Sequence, residues 1–511
     1  MENNSKSDSD SDDEVMEMGE NGDEGMVGEE ELERMAADLE KDLNRYQAHV
    51  DYIAACRKAG EFDRLTSARE RFAKLFPLTP KLWLEWIEDE RKIDDCVDRI
   101  QTFFEKATED YVSFDVWLEY CQWAIGALGE KPDAVRKVFE AAVNAVGLQC
   151  SRGGLLWDAY REYEMAVLRS SVAAGEATAL DEQVDRIKKL FRRQLAIPLQ
   201  GVETAHADYE KFLTDLLDAA DATAELDSIR QPYKHSTQKL QVLLPLDDAL
   251  EASPAPHLAA YEAYIDQELK WGDPARIQSI YERALTDNCL NGNLWLRYLK
   301  YLSRDLRISS LTLQACQRAS RNCPWVSQIW LQYLLALEQA NEDQSKMETV
   351  LLQASDNMPN YKEGAELWLT YAYMEKRRID KDCATTAPNY ATVSAVFERG
   401  SVALMSTFGA AAWDLELFFR RRWAFFAAKF AGDTPLMRKI WEDILVGNGA
   451  YASVWLEYIQ LERQFGNFAN ARKLFVKAVN SVTDYPQLVC DAFVQFEQEE
   501  GTLTDLLVIG C

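Results

Sequence analysis

Histidine is scarce in this 511-residue chain. There are four, His49, His206, His235 and His257. None lies beside a cysteine or another histidine at metal-ligand spacing, which argues against a zinc site. The ten cysteines are scattered and form no CxxC pair. That distribution fits a reducing compartment in which thiols serve as small buried hydrophobes. Positive charge is also short. Against 85 Asp and Glu stand 56 Lys and Arg, for a formal net charge of −29, which argues against broad attraction to nucleic-acid phosphate. No apolar run approaches the roughly 20 residues that cross a bilayer. The N-terminus is acidic and polar, the opposite of a secretory or transit signal. These absences point to a soluble intracellular protein. GxSxG, HExxH and Cys-His arrangements are missing too. The glycine pairs of "GALGEK" (Gly126–Lys131) and "GNGAY" (Gly447–Tyr451) lack Walker or dinucleotide spacing and follow no strand, so they read as inter-helix turns.

Charge is unevenly placed. Residues 1–40 hold 16 Asp and Glu against 2 Lys and Arg. They bury too little apolar surface to offset chain entropy, so composition assigns 1–40 to an acidic disordered tail. Within it, Ser7, Ser9 and Ser11 sit beside acids in "SDSDSDDE" and are candidate sites for an acid-directed kinase, with a plain solvating tail as the blander reading.

From about residue 43 to 500 the pattern is helical, without the alternation of strands. One motif recurs. An aromatic is followed at +3 by another and often at +7 by Glu: Trp83/Trp86/Glu90, Trp117/Tyr120, Trp157/Tyr160/Glu164, Tyr261/Tyr264/Glu268, Trp295/Tyr298, Trp330/Tyr333, Trp368/Tyr371/Glu375 and Trp455/Tyr458/Glu462. Weaker copies start at His49, His206, Trp413 and Cys490. Eight of the 14 Trp occupy this one position, which excludes chance placement. Anchors lie mostly 34 to 45 residues apart, stretching to 49 and 55 around His206. A second half repeats as well, in Phe104-Glu105-Lys106-Ala107, Phe139-Glu140-Ala141-Ala142, Tyr281-Glu282-Arg283-Ala284, Phe397-Glu398-Arg399-Gly400 and Phe475-Val476-Lys477-Ala478.

Positions i, i+3 and i+7 share one face of a helix, so Trp, Tyr and Glu form a stripe. Gly272 and Gly466 are expected to end the first helix in a positive-φ cap. Ala275 and Ala471 are expected to let the returning helix approach. Pro77, Pro80, Pro324 and Pro486 separate one unit from the next. One hairpin cannot bury its apolar face alone, and stacked hairpins can. The expected fold is therefore all-α, a right-handed α-solenoid of about twelve hairpins in two lobes. The lobes are read as 43–215 and 257–500, with 216–256 an irregular helical insert or linker and 501–511 an atypical tail. A second irregular loop is expected over 379–390.

The unit resembles the half-a-tetratricopeptide (HAT) repeat of RNA-processing proteins. "FPLTPKLWLEW" (Phe76–Trp86), "LFRRQLAIPL" (Leu190–Leu199), "GDPARIQSIYERAL" (Gly272–Leu285), "RNCPW" (Arg321–Trp325) and "DYPQLVC" (Asp484–Cys490) are similar to a narrower family. It is that of the spliceosome recycling factors that re-anneal U4 and U6 snRNA, also called the squamous cell carcinoma antigen recognised by T cells. The likeness runs in order from about 45 to 501. The repeat consensus does not require "RRQLAIPL". In that family a basic nuclear-localisation stretch and two RNA-recognition motifs follow the array, and no segment here resembles either. The ending "GTLTDLLVIGC" departs from the family and reads as a truncated or alternatively spliced product, expected to expose Leu506, Leu507, Val508 and Ile509 or leave them frayed.

The resemblance implies a non-catalytic scaffold in the nucleus, extending to Cajal bodies, with no cofactor and no membrane. It implies a homodimer through the C-terminal lobe, contact with U4/U6 snRNP proteins and recruitment of ubiquitin-specific proteases, with U6 snRNA met only indirectly or through a longer isoform. The alternative is a HAT subunit of mRNA 3′-end cleavage or rRNA processing. The stripe (Trp83, Trp117, Trp157, Tyr261, Trp295, Trp330, Trp368, Trp455, Tyr458, Glu462) reads as core packing. Its repeated Glu is expected to accept hydrogen bonds from helix ends, Tyr or Arg. "FFRRRWAFFAAK" (Phe418–Lys429) carries Arg420, Arg421 and Arg422 among aromatics and is the candidate protein-binding patch, against a reading as a solvated face with snorkelling stems.

Overall fold

The computed structural model describes residues 28–506 apart from 44, 94–95, 175–176, 217–218, 253–256, 383–387, 412 and 505. The candidate phosphorylation sites Ser7, Ser9 and Ser11, and the C-terminal Leu507, Val508 and Ile509, lie outside the described residues.

Among the described residues every regular element is a helix. Helix α1 (Glu29–Lys41) precedes eleven hairpins. The first six pair α2 (Tyr46–Ala59) with α3 (Phe62–Leu75), α4 (Pro80–Ile93) with α5 (Val97–Asp110), α6 (Phe114–Ala127) with α7 (Pro132–Ala145), α8 (Gly153–Ala174) with α9 (Ala177–Leu195), α10 (Val202–Leu216) with α11 (Ala219–Ala252), and α12 (Leu258–Trp271) with α13 (Pro274–Asp287). The rest pair α14 (Gly292–Tyr301) with α15 (Ser309–Asn322), α16 (Ser327–Ala340) with α17 (Gln344–Asp356), α18 (Tyr361–Asp382) with α19 (Ala391–Phe408), α20 (Phe418–Phe426) with α21 (Thr434–Asn448), and α22 (Ala452–Phe465) with α23 (Phe468–Ser481). Helix α24 (Pro486–Glu500) closes the array. Helices α14 and α20 each run on into one widened π-helical turn, Leu302–Leu306 and Ala427–Ala431.

Contact density divides the chain into residues 1–78 and 79–511. The first unit holds α1 to α3. Helix α1 corrects the reading of 1–40 as wholly disordered. Leu32 and Leu39, seven residues apart, share one helix face and are buried, so this acidic stretch does own an apolar stripe.

In the second unit the first helix of each hairpin packs on its own partner and often on the first helix of the next hairpin, as α4 does on α6, α16 on α18, α18 on α20 and α22 on α24. Helix α13 shows how sequence produces one element. The Asp273 carboxylate accepts the Ala275 N–H at 3.2 Å, and Pro274 fills the first turn, where its missing N–H costs nothing. Ile277, Ile280, Tyr281, Ala284 and Leu285 then fall on the buried face. Ala275 itself, in the first turn of α13, is exposed, contrary to expectation, whereas Ala284 of the same helix and Ala471 are fully buried.

The segment 216–256 is mostly one 34-residue helix, α11, which passes through Pro232 and Pro245 and buries Ile229, Leu240, Leu243 and Leu250. Pro80 and Pro486 open helices α4 and α24 rather than ending their predecessors. The anchor at Trp413 is also displaced. Trp413 lies in the turns before α20, and Phe419 and Trp423 take the places against Phe397.

Candidate protein-binding surface

The stripe residues stand in a repeated arrangement of three contacts. The first is made by the anchor tryptophan. Its indole N–H donates to a carbonyl where the preceding hairpin ends: Trp295 to Cys289 at 2.7 Å, Trp330 to Pro324 at 2.8 Å, Trp455 to Gly449 at 2.8 Å and Trp157 to Gly147 at 3.0 Å. These carbonyls have left the helix ladder, so the indole satisfies groups that burial would otherwise strand. Trp368 donates instead to the Ser355 hydroxyl, and Trp83 to the Asp110 carboxylate. The buried indole N–H of Trp117 meets no acceptor among the described residues. Tyr261, at an anchor position, donates its hydroxyl to Asp287.

The second contact joins one hairpin to the next. In five hairpins the aromatic of the second helix stacks on the +3 aromatic that follows it. Phe104 lies 4.8 Å from Tyr120, Phe139 4.8 Å from Tyr160, Tyr281 5.0 Å from Tyr298, Trp441 5.5 Å from Tyr458 and Phe475 4.8 Å from Phe493, all near parallel. The +3 tyrosine hydroxyl then reaches the Glu beside that aromatic, Tyr160 to Glu140 at 3.2 Å and Tyr298 to Glu282 at 2.8 Å. An arginine one hairpin further on closes the same carboxylate: Arg193 on Glu140 at 2.8 Å and Arg318 on Glu282 at 2.8 Å. Burial pushes the Tyr120 phenol up to about 12, Tyr160 higher still and Tyr298 well above its ordinary value, their neighbouring carboxylates adding to the effect. Sequence reasoning found the Phe-Glu pair as a repeat but gave its Glu no role. The signal was present, since a Glu follows the stacking aromatic at Phe104, Phe139, Tyr281 and Trp441, though Val476 follows Phe475.

The third contact is made by the +7 Glu, which is buried in every full copy of the motif. Glu164 accepts from Arg136 at 2.8 and 3.0 Å, Glu268 from Arg276 at 2.6 Å, Glu462 from Arg438 at 2.6 Å, and Glu497 from Arg472 at 2.8 Å. Glu90 pairs with Arg99 at 2.8 Å, and Glu375 with Arg378 at 2.5 Å. Glu462 also takes the Asn467 N–H at 3.4 Å and the Asn470 amide at 3.2 Å. This carboxylate explains Gly466, which does not adopt the expected positive φ; its φ is −101° and ψ −127°. A Cβ there would stand 2.4 Å from Glu462 Oε1, and one at Gly501 would stand 2.2 Å from Glu497 Oε2. Gly272, at φ 73°, is the left-handed cap.

The three arginines of α20 meet different surroundings. Arg420 donates to the buried Asp414 at 3.0 Å and lies over Trp413, while Asp414 also accepts the N–H groups of Phe419 and Arg420. Arg421 stands 3.1 Å from Glu457. Arg422 is exposed, over Phe418, at the rim of a groove of about 460 Å³ that crosses α16, α18 and α20. Leu331, Leu335, Leu369, Tyr373 and Phe418 supply its apolar lining and Arg377 a second cation, itself paired with Glu338. Two larger clefts, of about 970 and 530 Å³, flank the C-terminal end of α5. Among the described residues no group of three or more His, Cys, Asp or Glu could hold a metal ion, and no helix is long and apolar enough to cross a membrane.

Comparison with known proteins agrees with this repeat geometry. Residues 31–212 match the PRP39 N-terminal HAT repeat and residues 250–377 the PRP39 C-terminal HAT repeat. The human spliceosome associated factor 3, U4/U6 recycling protein, is 36% identical over 492 residues, covering 93% of this chain and 48% of the human protein. The Caenorhabditis elegans protein of the same name is 30% identical over 487 residues, 94% of this chain and 57% of its own length. The mRNA 3′-end-processing protein rna14 of Schizosaccharomyces pombe is 21% identical over 175 residues, 34% of this chain and 22% of its own. The chain thus spans about half the length of the spliceosome associated factor 3 relatives it matches. It is a HAT-repeat protein, homologous over 93% of its residues to the spliceosome associated factor 3, U4/U6 recycling proteins.

Proposed function

We propose that this chain is a non-catalytic scaffold in pre-mRNA splicing that supports U4/U6 snRNP reassembly through protein–protein contacts in the nucleus. The observation that carries this reading is the extent of the likeness, 36% identity across 93% of the chain. The rival, a subunit of mRNA 3′-end processing, rests on 21% identity over a third of the chain. Within the proposal, residues 43–215 and 257–500 act as two lobes. The second carries self-association and the recruitment of ubiquitin-specific proteases. U6 snRNA is met indirectly, through partners or a longer form.

The groove beside Arg422 is the proposed docking place. Arg and aromatic side chains dominate interface energetics, and Arg422 is exposed beside Tyr373 and Phe418. Tagged chain captured from nuclear extract tests the function. U4/U6 and Lsm proteins are the expected co-purifying set, and cleavage-factor subunits in their place would overturn it. Arg422→Glu tests the groove without touching the Asp414–Arg420 pair, and full retention of every captured partner would remove the groove from the proposal.

A further inference from the structure

In a hairpin array each unit needs contact only with its neighbours. The second unit of this chain departs from that rule. The C-terminal end of α5 meets the C-terminal end of α15, 211 residues further along. Asp110, 5% exposed, accepts the Trp83 indole N–H at 2.9 Å on one oxygen and Arg321 at 2.7 Å on the other. Beside it the Tyr111 hydroxyl donates to the Asn322 side-chain oxygen. The Asn322 amide in turn donates to the Arg318 carbonyl at 2.9 Å, within the same last turn of α15.

The chemistry of this joint differs from that of the hairpin stack. The buried apolar core that runs from Cys150 to Phe426 contains no residue of α4 to α7. The hydrogen bonds that bridge the ends of α5 and α15 join polar or charged side chains, and open clefts of about 970 and 530 Å³ lie beside them, sharing Val112. Apolar packing spread over many residues closes a contact firmly, whereas this joint rests on two side-chain hydrogen bonds, one buried between Tyr111 and Asn322 and one that solvent reaches only at Arg321.

We infer that Asp110–Arg321 and Tyr111–Asn322 form a latch between non-adjacent repeats, which holds α4–α7 against α13–α15 and sets the width of both clefts. The latch closes a bend that the hairpin stack leaves adjustable. A partner carboxylate that takes up Arg321 in competition with Asp110 opens it. The inference holds whichever partners the array carries.

Hydrogen exchange by mass spectrometry on the full chain tests this, with Tyr111→Phe and Arg321→Ala combined. Both substitutions leave the Trp83–Asp110 bond and the apolar core in place. Exchange is expected to rise about tenfold, the factor that about 1.4 kcal/mol gives, at the end of α15 and also at the end of α5, with α22 to α24 unchanged. Size-exclusion-coupled small-angle scattering is expected to show a larger radius of gyration at unchanged oligomeric state. Faster exchange confined to α15, or unchanged exchange and radius in the double variant, would overturn the latch. If the double variant loses its helical circular dichroism, Arg321→Lys with Tyr111→Phe replaces it under the same criteria.

Discussion

Arg438→Ala should be more damaging than its position suggests. The arginine side chain is about a third exposed, yet its partner Glu462 is sealed, with a side-chain exposure of 0%. Three contacts of 2.6 to 3.2 Å join them. Deleting the arginine leaves a buried carboxylate with the Asn467 N–H and the Asn470 amide as its remaining donors. Stranding one member of a buried pair costs about 3–5 kcal/mol; the two remaining donors and the open side of Arg438 place this case near the lower bound, about 3 kcal/mol. Neutralising both partners removes the stranded charge. Glu462→Gln with Arg438→Met should therefore lie within about 1–2 kcal/mol of the parent, above the single Arg438→Ala variant. Because a repeat array opens locally, the assay is native-state hydrogen exchange of α21 to α24, where the loss reads directly as a local opening free energy. A cost below about 0.5 kcal/mol for Arg438→Ala, or a double variant less stable than the single one, would refute the reasoning that the pair is held by the sealed carboxylate.

Gly466→Ala and Gly501→Ala should each destabilise the last hairpins, since the new methyl meets a Glu carboxylate at 2.4 and 2.2 Å, whereas Gly126→Ala, with open space around it, should be neutral or stabilise by about 0.5–1 kcal/mol; urea melts of the three variants decide. Trp455→Phe should cost about 1–2 kcal/mol by stranding the Gly449 carbonyl, seen as faster exchange in the loop before α22. Alkali should destabilise the fold. Burial pushes the Cys121, Cys150, Cys316 and Cys323 thiols up to about 12. Groups raised in the folded state stabilise fully below their unfolded value near 9 and lose that contribution as pH climbs toward 12. Each thiol contributes up to about 1.4 kcal/mol per pH unit in that window. A thermal midpoint equal at pH 8 and pH 10 would contradict it.

The repeat is legible in sequence because its determinants are local. Tyr261, Tyr264 and the Gly272 cap announce themselves within one hairpin, and helix periodicity does the rest. What sequence conceals is where a carboxylate goes. Gly466 and Gly272 look alike as letters, yet one frees a backbone angle and the other clears space for Glu462. Trp413 obeys the spacing and still falls outside the helix, because Asp414 takes the N–H groups of Phe419 and Arg420 and starts α20 later. Helix α1 was hidden by its charge, as composition counts acids and does not see Leu32 and Leu39 on one face. The three arginines of α20 form one run in sequence. Each faces a different direction on the helix, so Arg420 goes inward to Asp414 while Arg422 remains outside.

The polar contacts also answer why a solenoid spends Trp, Tyr and Glu where Leu would bury as much area. Apolar packing alone tolerates slippage of one hairpin against the next. A buried Glu that must meet one arginine, and an indole that must meet one carbonyl, penalise every register but one, because each displaced partner is left unsatisfied without water. The same residues therefore recur at many of the places where hairpins meet, as at Trp157, Glu164, Trp455 and Glu462. On the proposed reading, specificity lies where the pattern is broken or unused: the exposed Arg422 in its apolar groove, and the Asp110–Arg321 joint that neighbour packing does not require. If that reasoning holds, exchanging one full hairpin's Trp-Tyr-Glu set for another's should leave partner binding intact, while Arg422→Glu changes it at unchanged stability. Loss of binding in the exchanged hairpin with its fold preserved would place recognition on the stripe itself.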